Sequence, residues 1–535
     1  MKRFFFIDCQ ILQTAAYDRG MGKYSLSLLK ALGENRIFKN LYDPVLIFSE
    51  NLDKSRERLK DIEKQTGIKK NIIANLPVDI SIGLVEKKRQ AVKEITAHIS
   101  KYLKTDEHAD FMSMAPFFVG FPSVFPDIKN MRKMSIVYDV IPYLIWQKQR
   151  IFPDDIYFDH FKFLFEADLL FGISASVTND LTALLGIDSV RVCNINGGAF
   201  EVHGPDGTAA DIKSPFIIYP SAPIIHKNNI TAVKAFKLFN KTHGNRYKLV
   251  LTSTFSPEIQ GSLQRISSDI IFSGNVSDRE LATLYKKAEA VFFASLAEGL
   301  GMPVLEAVIY GKPVACSDIV VLTEMSNEAF YLFDPTKPEE MARALSAAIN
   351  GVDWNNKKAL YPEIKAKYQW ERSAQDITKA LEKLPAVKPI GKRKYVDIIC
   401  PHPGSYDAVR QLAEQLYGEL YKLYDVHVRF YGKYHTPKIP AFMEHYESRR
   451  KDAHPDFTLL IGNVPKSERS RTDNNLHITV KNFHAILRRR GDMELNAVPV
   501  ILHGALEVKT WQYALPGSNR NFRTKVLNVI KDRMG

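Results

Sequence analysis

The chain reads as a layered α/β protein made of three successive units, and three features predict it. Short apolar runs rich in β-branched and aromatic residues alternate with segments of helical periodicity. That alternation is broken by the polar, glycine-bearing stretch HGPDGTAADIKS (203–214) and by the proline- and lysine-rich stretch PAVKPIGKRK (385–394), and it restarts after each. At 535 residues the chain also exceeds a single core and fits about three domains of ~100–200 residues. The expected domains are 1–205, 206–384 and 395–535, with 385–394 as a linker.

In the first unit the run 4–8 reads as a buried strand and 22–32 as an amphipathic helix, joined by a loop carrying Asp18-Arg19-Gly20. Further strands are expected at 45–48, 135–138, 169–173 and 190–195, with a helix at 176–185. In the second unit, strands are expected at 216–220, 247–253, 269–274, 290–294 and 313–317. The helices between and after them fall at 228–240, 278–287, 303–310, 338–350 and 370–384. The third unit opens with strand 395–400, helix 406–423 and strand 426–431.

Composition removes several classes. Cys9, Cys193, Cys316 and Cys400 are scattered and form no C-x-x-C or Cys/His cluster, which fits small buried thiols in a reducing compartment. The opening MKRFFFI resembles a signal sequence only until Asp8 breaks the apolar run. The stretch 135–146 is interrupted by Asp139 and Pro142 and is too short to span a bilayer. The expected location is cytoplasmic, with peripheral contact at the inner face of the plasma membrane as an extension. The net charge is +13, and from Pro385 onward there are 25 Lys/Arg against 15 Asp/Glu, so the tail carries most of it. A basic tail suits an anionic membrane or lipid-phosphate neighbour, or simply a solvated face. No aromatic RNP pattern or helix-turn-helix signature accompanies it, so nucleic acid is not an expected partner.

The segment ASLAEGLGMPVLEAVIYGKP (294–313) carries the most chemistry. A buried strand ends at Ala294, and Glu298 and Gly299 follow. Leu300-Gly301-Met302 then leads into a helix with Pro303 at its first position, where a missing N–H costs nothing. Glu306 is expected in the first turn. Glycines admit a ligand to the backbone, and a helix start offers unpaired N–H groups with partial positive charge. Two carboxylates around an anion site suit a sugar diphosphate: amides for phosphate oxygens, acids for hydroxyls. Taken singly, Glu306 is also an ordinary helix-dipole partner and Glu298 an ordinary surface acid.

The run EGLGMPVLEA resembles the E-x7-E signature of the retaining GT-B glycosyltransferases, family 4 in the usual classification (glycosyl transferases group 1). Further resemblance, in family order, lies in RGMGKYSLSLLKAL (19–32), VYDVIPYL (137–144), ISASVTNDL (173–181) and INGG (195–198). It continues in HKNNITAVKAF (226–236), GNVSDRELATLY (274–285) and FYLFDP (330–335). The fold this implies is α/β, GT-B: two Rossmann-like domains facing a cleft, followed here by a third, incomplete Rossmann-like domain at the C-terminus. The implied activity is transfer of a hexose, mannose first, from a nucleotide diphosphate-sugar to a glycan or lipid-linked acceptor in surface polysaccharide synthesis.

The resemblance also implies site roles. Glu306 would hold the ribose, Glu298 the hexose, and the Leu300, Gly301 and Met302 amides the sugar and distal phosphate. Lys227, with Asn228 beside it, would neutralise the leaving diphosphate. Gly20 and Gly22 would approach donor or acceptor, although Ser25 stands where a dinucleotide fingerprint needs a third glycine. Asp139, at the end of a parallel strand, would face the crevice or, on the plainer reading, cap a helix. Glu298, Asp139 and Lys227 are the catalytic candidates. No Asp-x-Asp pair occurs, so no metal and no cofactor is expected beyond the nucleotide-sugar co-substrate.

Two departures stand out. Members of the family carry an arginine near the lysine, whereas Tyr219 to His226 supplies none, and the family histidine before Asp139 is Tyr138. Residues 395–535 resemble the N-terminal half of a second such enzyme, through YVDIICPHPGSYDAVRQLAEQ, FTLLIGNVP and VPVILHGAL, without a second E-x7-E. This unit, with basic clusters at 449–451 and 488–490, would bind acceptor, dock on an anionic membrane or on another polysaccharide-assembly protein, or be the remnant of a longer multi-domain polymerase. The alternative for the whole chain is a weakly active or inactive GT-B scaffold in such a complex.

Overall fold

In the computed structural model, residues 2–384 are described apart from 53–54, 79–83, 106, 118–119, 143–162, 165, 184, 186, 201–206 and 208–211; beyond them the description covers six strands. The seven-stranded first sheet comprises β1 (Arg3–Asp8), β2 (Tyr42–Ser49), β3 (Asn71–Ala74), β4 (Ala109–Ser113), β5 (Met131–Val137), β6 (Leu169–Gly172) and β7 (Val192–Asn194). Its order is β3-β2-β1-β4-β5-β6-β7, all parallel. Helices cover both faces of such a sheet, so its strands are continuous apolar runs: Phe5, Phe6 and Ile7 are all fully buried.

The second sheet comprises β8 (Phe216–Tyr219), β9 (Lys248–Leu251), β10 (Ile270–Phe272), β11 (Ala290–Phe293), β12 (Val314–Ser317) and β13 (Tyr331–Phe333). It is again parallel, in the order β10-β9-β8-β11-β12-β13. In both sheets the strand order reverses beside the first strand, between β1 and β4 and between β8 and β11. A reversal opens a crevice beyond the carboxyl ends of those strands. The loops after β1, β8 and β11 are the ones that carry the candidate residues.

The third sheet comprises β14 (Tyr395–Pro401), β15 (Asp425–Tyr431), β16 (Phe457–Ile461), β17 (Asn475–Val480), β18 (Val498–His503) and β19 (Val508–Tyr513). Its order, β15-β14-β16-β17-β18-β19, repeats the β2-β1-β4-β5 start of the first sheet. It departs from a parallel half-domain at one edge, where β18 runs antiparallel to both β17 and β19. The expected linker 385–394, the helix at 406–423 and the basic clusters at 449–451 and 488–490 lie outside the described residues.

Several elements differ from the sequence reading. The strands β3 and β4 and the helices Ser55–Thr66 and Leu84–Ser100 lie where no element was expected. The strand expected at 190–195 is shorter: Asp188 accepts a hydrogen bond from the Val190 N–H and caps a 3-10 turn, leaving Val190 79% exposed. The helix Trp370–Lys383, expected to close the second unit, crosses back to the first domain. Trp370 donates its indole N–H to the Ala199 carbonyl at 3.2 Å and packs edge-on against Tyr24. Its apolar face, Ala374, Ile377 and Leu381, joins one core with the first sheet. Among the described residues, no helix is long and apolar enough to cross a membrane.

Candidate active site

The crevice holds a cavity of about 730 Å³ lined from both domains. From the first domain come the loop after β1 (Ala15, Ala16, Arg19, Gly20, Met21), the start of the next helix at Tyr24, and the loop after β5 (Tyr138, Asp139, Ile141, Pro142). From the second come Ile224, His226 and Lys227 after β8, and Glu298 to Pro303 after β11. Parallel strands that end at one edge deliver all of these side chains to one place.

Lys227 ends a 3-10 turn, Ile225–Lys227, and the helix expected from 228 starts at Asn229. The Tyr219 hydroxyl donates to its carbonyl, fixing the turn. Its ammonium lies 2.5 Å from Glu298 Oε1, and the two side chains are 16% and 11% exposed. The pair is therefore partly desolvated and faces the cavity. Asn228 does not line the cavity. Its backbone is left-handed (φ 59°), and its side-chain amide donates to the carbonyls of Ala294 (3.1 Å) and Pro335 (2.7 Å). The structure thus makes it a tether behind the Lys227 turn.

The helix Met302–Ile309 starts with Gly301 at φ 88°, a backbone conformation that costs glycine nothing. A β-carbon there would stand 2.6 Å from Leu322 Cδ2. No side chain caps this helix; Pro303 has no N–H and Val304 donates to the Gly301 carbonyl, which leaves the Met302 N–H at a helix start whose residues Leu300 to Pro303 line the cavity. Glu306 lies in the second turn, not the first, and it lines a separate small recess with Lys23, Asp278 and Tyr285. Lys23 of the first domain and Asp278 of the second form an ion pair beside it. The structure therefore separates the two acids: Glu298 is in the main cavity and Glu306 is next door.

Burial pushes the Glu306 carboxyl up to about 7, with the Tyr285 hydroxyl and Lys23 pulling it back and Asp278 adding a smaller push upward. Between the ordinary 4.5 and about 7, the folded chain holds a proton that the unfolded chain releases. The contribution of this group to stability therefore declines as pH rises through that window. Glu306→Gln is expected to flatten that part of the curve, as denaturant midpoints measured across the window would show.

Asp139 lines the main cavity and also accepts the Ile141 N–H at 2.9 Å, so it serves as a turn cap and as a cavity acid at once. Burial raises its carboxyl, the Ile141 N–H opposes that, Glu298 adds to the rise and Lys227 offsets it. Tyr138 contributes its ring. Its hydroxyl is 2.7 Å from Ser25 Oγ and donates to the Met21 carbonyl at 3.3 Å. Of the two glycines expected to approach a ligand, Gly20 lines the cavity and Gly22 does not. A β-carbon on Gly22 would meet the Ala16 carbonyl at 2.2 Å, so its role is to let the helix close on its own loop.

Gly299 forms the seam between the domains. A β-carbon there would fall 2.1 Å from the Tyr138 carbonyl oxygen, and Ser174 Oγ donates to the Gly299 carbonyl at 2.6 Å. Gly299→Ala must push backbone against backbone, which no rotamer relieves. Loss of domain closure, with the second domain still folded, is the expected result. Small-angle scattering would show a larger radius of gyration than wild type, and circular dichroism would stay the same.

Arg19, Met21, Tyr24 and His226 also line the cavity, and none of them is a site candidate from the sequence alone. Burial and then the neighbouring Lys227 push the His226 imidazole down, with Glu298 opposing, so it is neutral at pH 7. The visible signal was adjacency: Arg19 precedes Gly20, and His226 precedes Lys227.

Residues 206–360 match the family model described as glycosyl transferases group 1. The chain is 26% identical over 298 residues to the serotype-specific mannosyltransferase WbdA of Escherichia coli, covering 50% of this chain and 36% of that protein. It is 27% identical over 219 residues to the O-antigen chain mannosyltransferase RfbU of Salmonella typhimurium, covering 38% of this chain and 58% of that one. The matched segments thus span 36% and 58% of these relatives, less than two thirds of each. Among solved structures, sucrose-phosphate synthase from Thermosynechococcus elongatus superposes with a TM-score of 0.52 at 16% identity, over 72% of this chain and 99% of that one. That likeness concerns the fold, and it agrees with two parallel-sheet domains facing a crevice. The domain that holds Lys227, Glu298 and Glu306 is therefore similar, over residues 206–360, to the glycosyl transferases group 1.

Proposed function

We propose that the chain transfers a hexose, with mannose as the first expectation, from a nucleotide diphosphate-sugar to a glycan or lipid-linked acceptor in surface polysaccharide synthesis, with retention of configuration. The observation that carries this reading is the Lys227–Glu298 pair facing the same cavity as the uncapped helix start at Met302. A cation and backbone amides suit a diphosphate, and a carboxylate beside them suits sugar hydroxyls. The names of the relatives supply the mannose expectation and the setting in O-antigen assembly.

In this reading the anomeric C–O bond to the diphosphate breaks as the acceptor oxygen bonds to the same face of the sugar. The acceptor proton passes to the departing phosphate oxygen. Lys227 and the amides at the helix start take up the charge that develops on the diphosphate. Glu298 holds the hexose, and Asp139 lines the acceptor side. Glu306 and Tyr285 hold the ribose, and the small Glu306 recess opens to it when the Lys23–Asp278 pair separates.

Transfer from a panel of nucleotide diphosphate-sugars to mannan-type oligosaccharides and lipid-linked acceptors tests the reading. One donor should be consumed, with the product anomer matching the donor. An inert chain whose melting temperature no donor shifts would leave a scaffold instead.

A further inference from the structure

We infer that Arg19, reaching from the first domain, is the second cation that binds the distal phosphate of the donor, in place of the arginine that the segment Tyr219–His226 does not supply. This rests on the reading of the cavity as a nucleotide diphosphate-sugar site.

Three basic side chains line that cavity: Arg19, His226 and Lys227. Lys227 is paired with Glu298 at 2.5 Å, and burial keeps the His226 imidazole neutral at pH 7. A diphosphate brings at least two negative charges into a space that already holds Glu298 and Asp139. Within the cavity, Arg19 is the one full positive charge without an acidic partner among the described residues. The acid next to it in sequence, Asp18, lies toward Arg58 at 3.9 Å.

Position agrees with charge. Arg19 precedes the helix Gly20–Glu34, at the N-cap position, and no side chain caps that helix. A β-carbon built on Gly20 would come within 3.0 Å of the Met302 side chain. Two helix starts from opposite domains therefore meet at this spot, one carrying Arg19 and the other the amides assigned to the distal phosphate. Both present partial positive charge to the same small volume. A guanidinium adds a planar fork that can bind two phosphate oxygens at once, which a lysine cannot do. Because Arg19 and Lys227 belong to different domains, a diphosphate held by both would also bridge the cleft.

The test uses the full chain and the donor that the wild-type protein turns over. Inhibition of transfer is measured with the matching nucleoside diphosphate and with the monophosphate of the same nucleoside, in wild type, Arg19→Ala and Arg19→Lys. A lost charged hydrogen-bond pair corresponds to about a 10- to 100-fold change. The expected result is a rise of that size in the inhibition constant for the diphosphate in Arg19→Ala, little change for the monophosphate, and partial recovery in Arg19→Lys. Arg19 is exposed, so unchanged melting temperatures are expected in both variants. An unchanged diphosphate constant in Arg19→Ala overturns the assignment while leaving the function standing. So does a defect confined to the acceptor KM, which would move Arg19 to an anionic acceptor. A wild-type chain that turns over no donor overturns the functional reading itself, and this inference with it.

Discussion

Replacing Lys227 with alanine is expected to cut the turnover of sugar transfer by about two to three orders of magnitude, the scale of losing one preorganised charge-stabilising donor. The ammonium is held at 2.5 Å from Glu298 on a turn fixed by Tyr219 and Asn228, so it has little geometry left to organise when charge develops on a diphosphate. Lys227→Arg retains the charge but not the shape, and should recover only part of the rate. The loss should fall on kcat more than on KM if the cation acts on the departing group. Because Lys227 and Glu298 act as one unit, Lys227→Ala/Glu298→Ala should be little worse than the poorer single variant. Steady-state rates on the consumed donor check all four statements.

The largest expected effect on stability lies far from the cavity. Arg132 is buried on β5, and its guanidinium spends every N–H. It meets both Asp110 oxygens at 2.6 and 2.5 Å, the Tyr42 hydroxyl at 3.1 Å, and the carbonyls of Leu381 and Leu384 at 3.1 and 3.2 Å. It therefore joins β4 and β5 to the end of the helix that crosses back from the second unit. Arg132→Ala leaves the fully buried Asp110 carboxylate with only Arg3, 3.6 Å away and half-buried, and breaking such a buried pair costs about 3–5 kcal/mol. Arg132→Lys should lose a comparable amount, since one ammonium cannot reach two carbonyls, a phenol and a carboxylate. Urea unfolding of the first two domains would show this as a lower midpoint.

The fold was legible wherever a strand is a short apolar run followed by an amphipathic helix. The second domain follows that rule in most of its strands, although the helices Pro257–Gln264 and Val320–Ser326 and the three-residue strand β13 lie where no element was expected. The first domain hid β3 because its four residues, Asn71–Ala74, lie between the charged helices Ser55–Thr66 and Leu84–Ser100, and hid β4 because Asp110 interrupts the apolar run Ala109–Ser113. The path of the helix Trp370–Lys383 back onto the first sheet was not legible either. Its amphipathic pattern states that one face is buried, but not against which domain. In the site, Glu298, Lys227 and Asp139 were readable because they sit on loops after strands. The division of Glu298 and Glu306 between two recesses was hidden, because it depends on where Lys23, from a helix more than 250 residues upstream, meets Asp278. Asn228 looked like a ligand-binding neighbour of Lys227, and only its left-handed backbone and two carbonyl partners show it to be a tether.

A crystal structure of the chain soaked with the nucleoside diphosphate of its donor gives the most direct measurement. The distal phosphate is expected between the Lys227 ammonium and the amides at Gly301 and Met302, with Glu298 free to turn toward the vacated sugar position and the ribose at Glu306. Density for the diphosphate outside this cleft, or within it but remote from Lys227 and the Met302 helix start, would rule out Lys227 and this helix start as the diphosphate site.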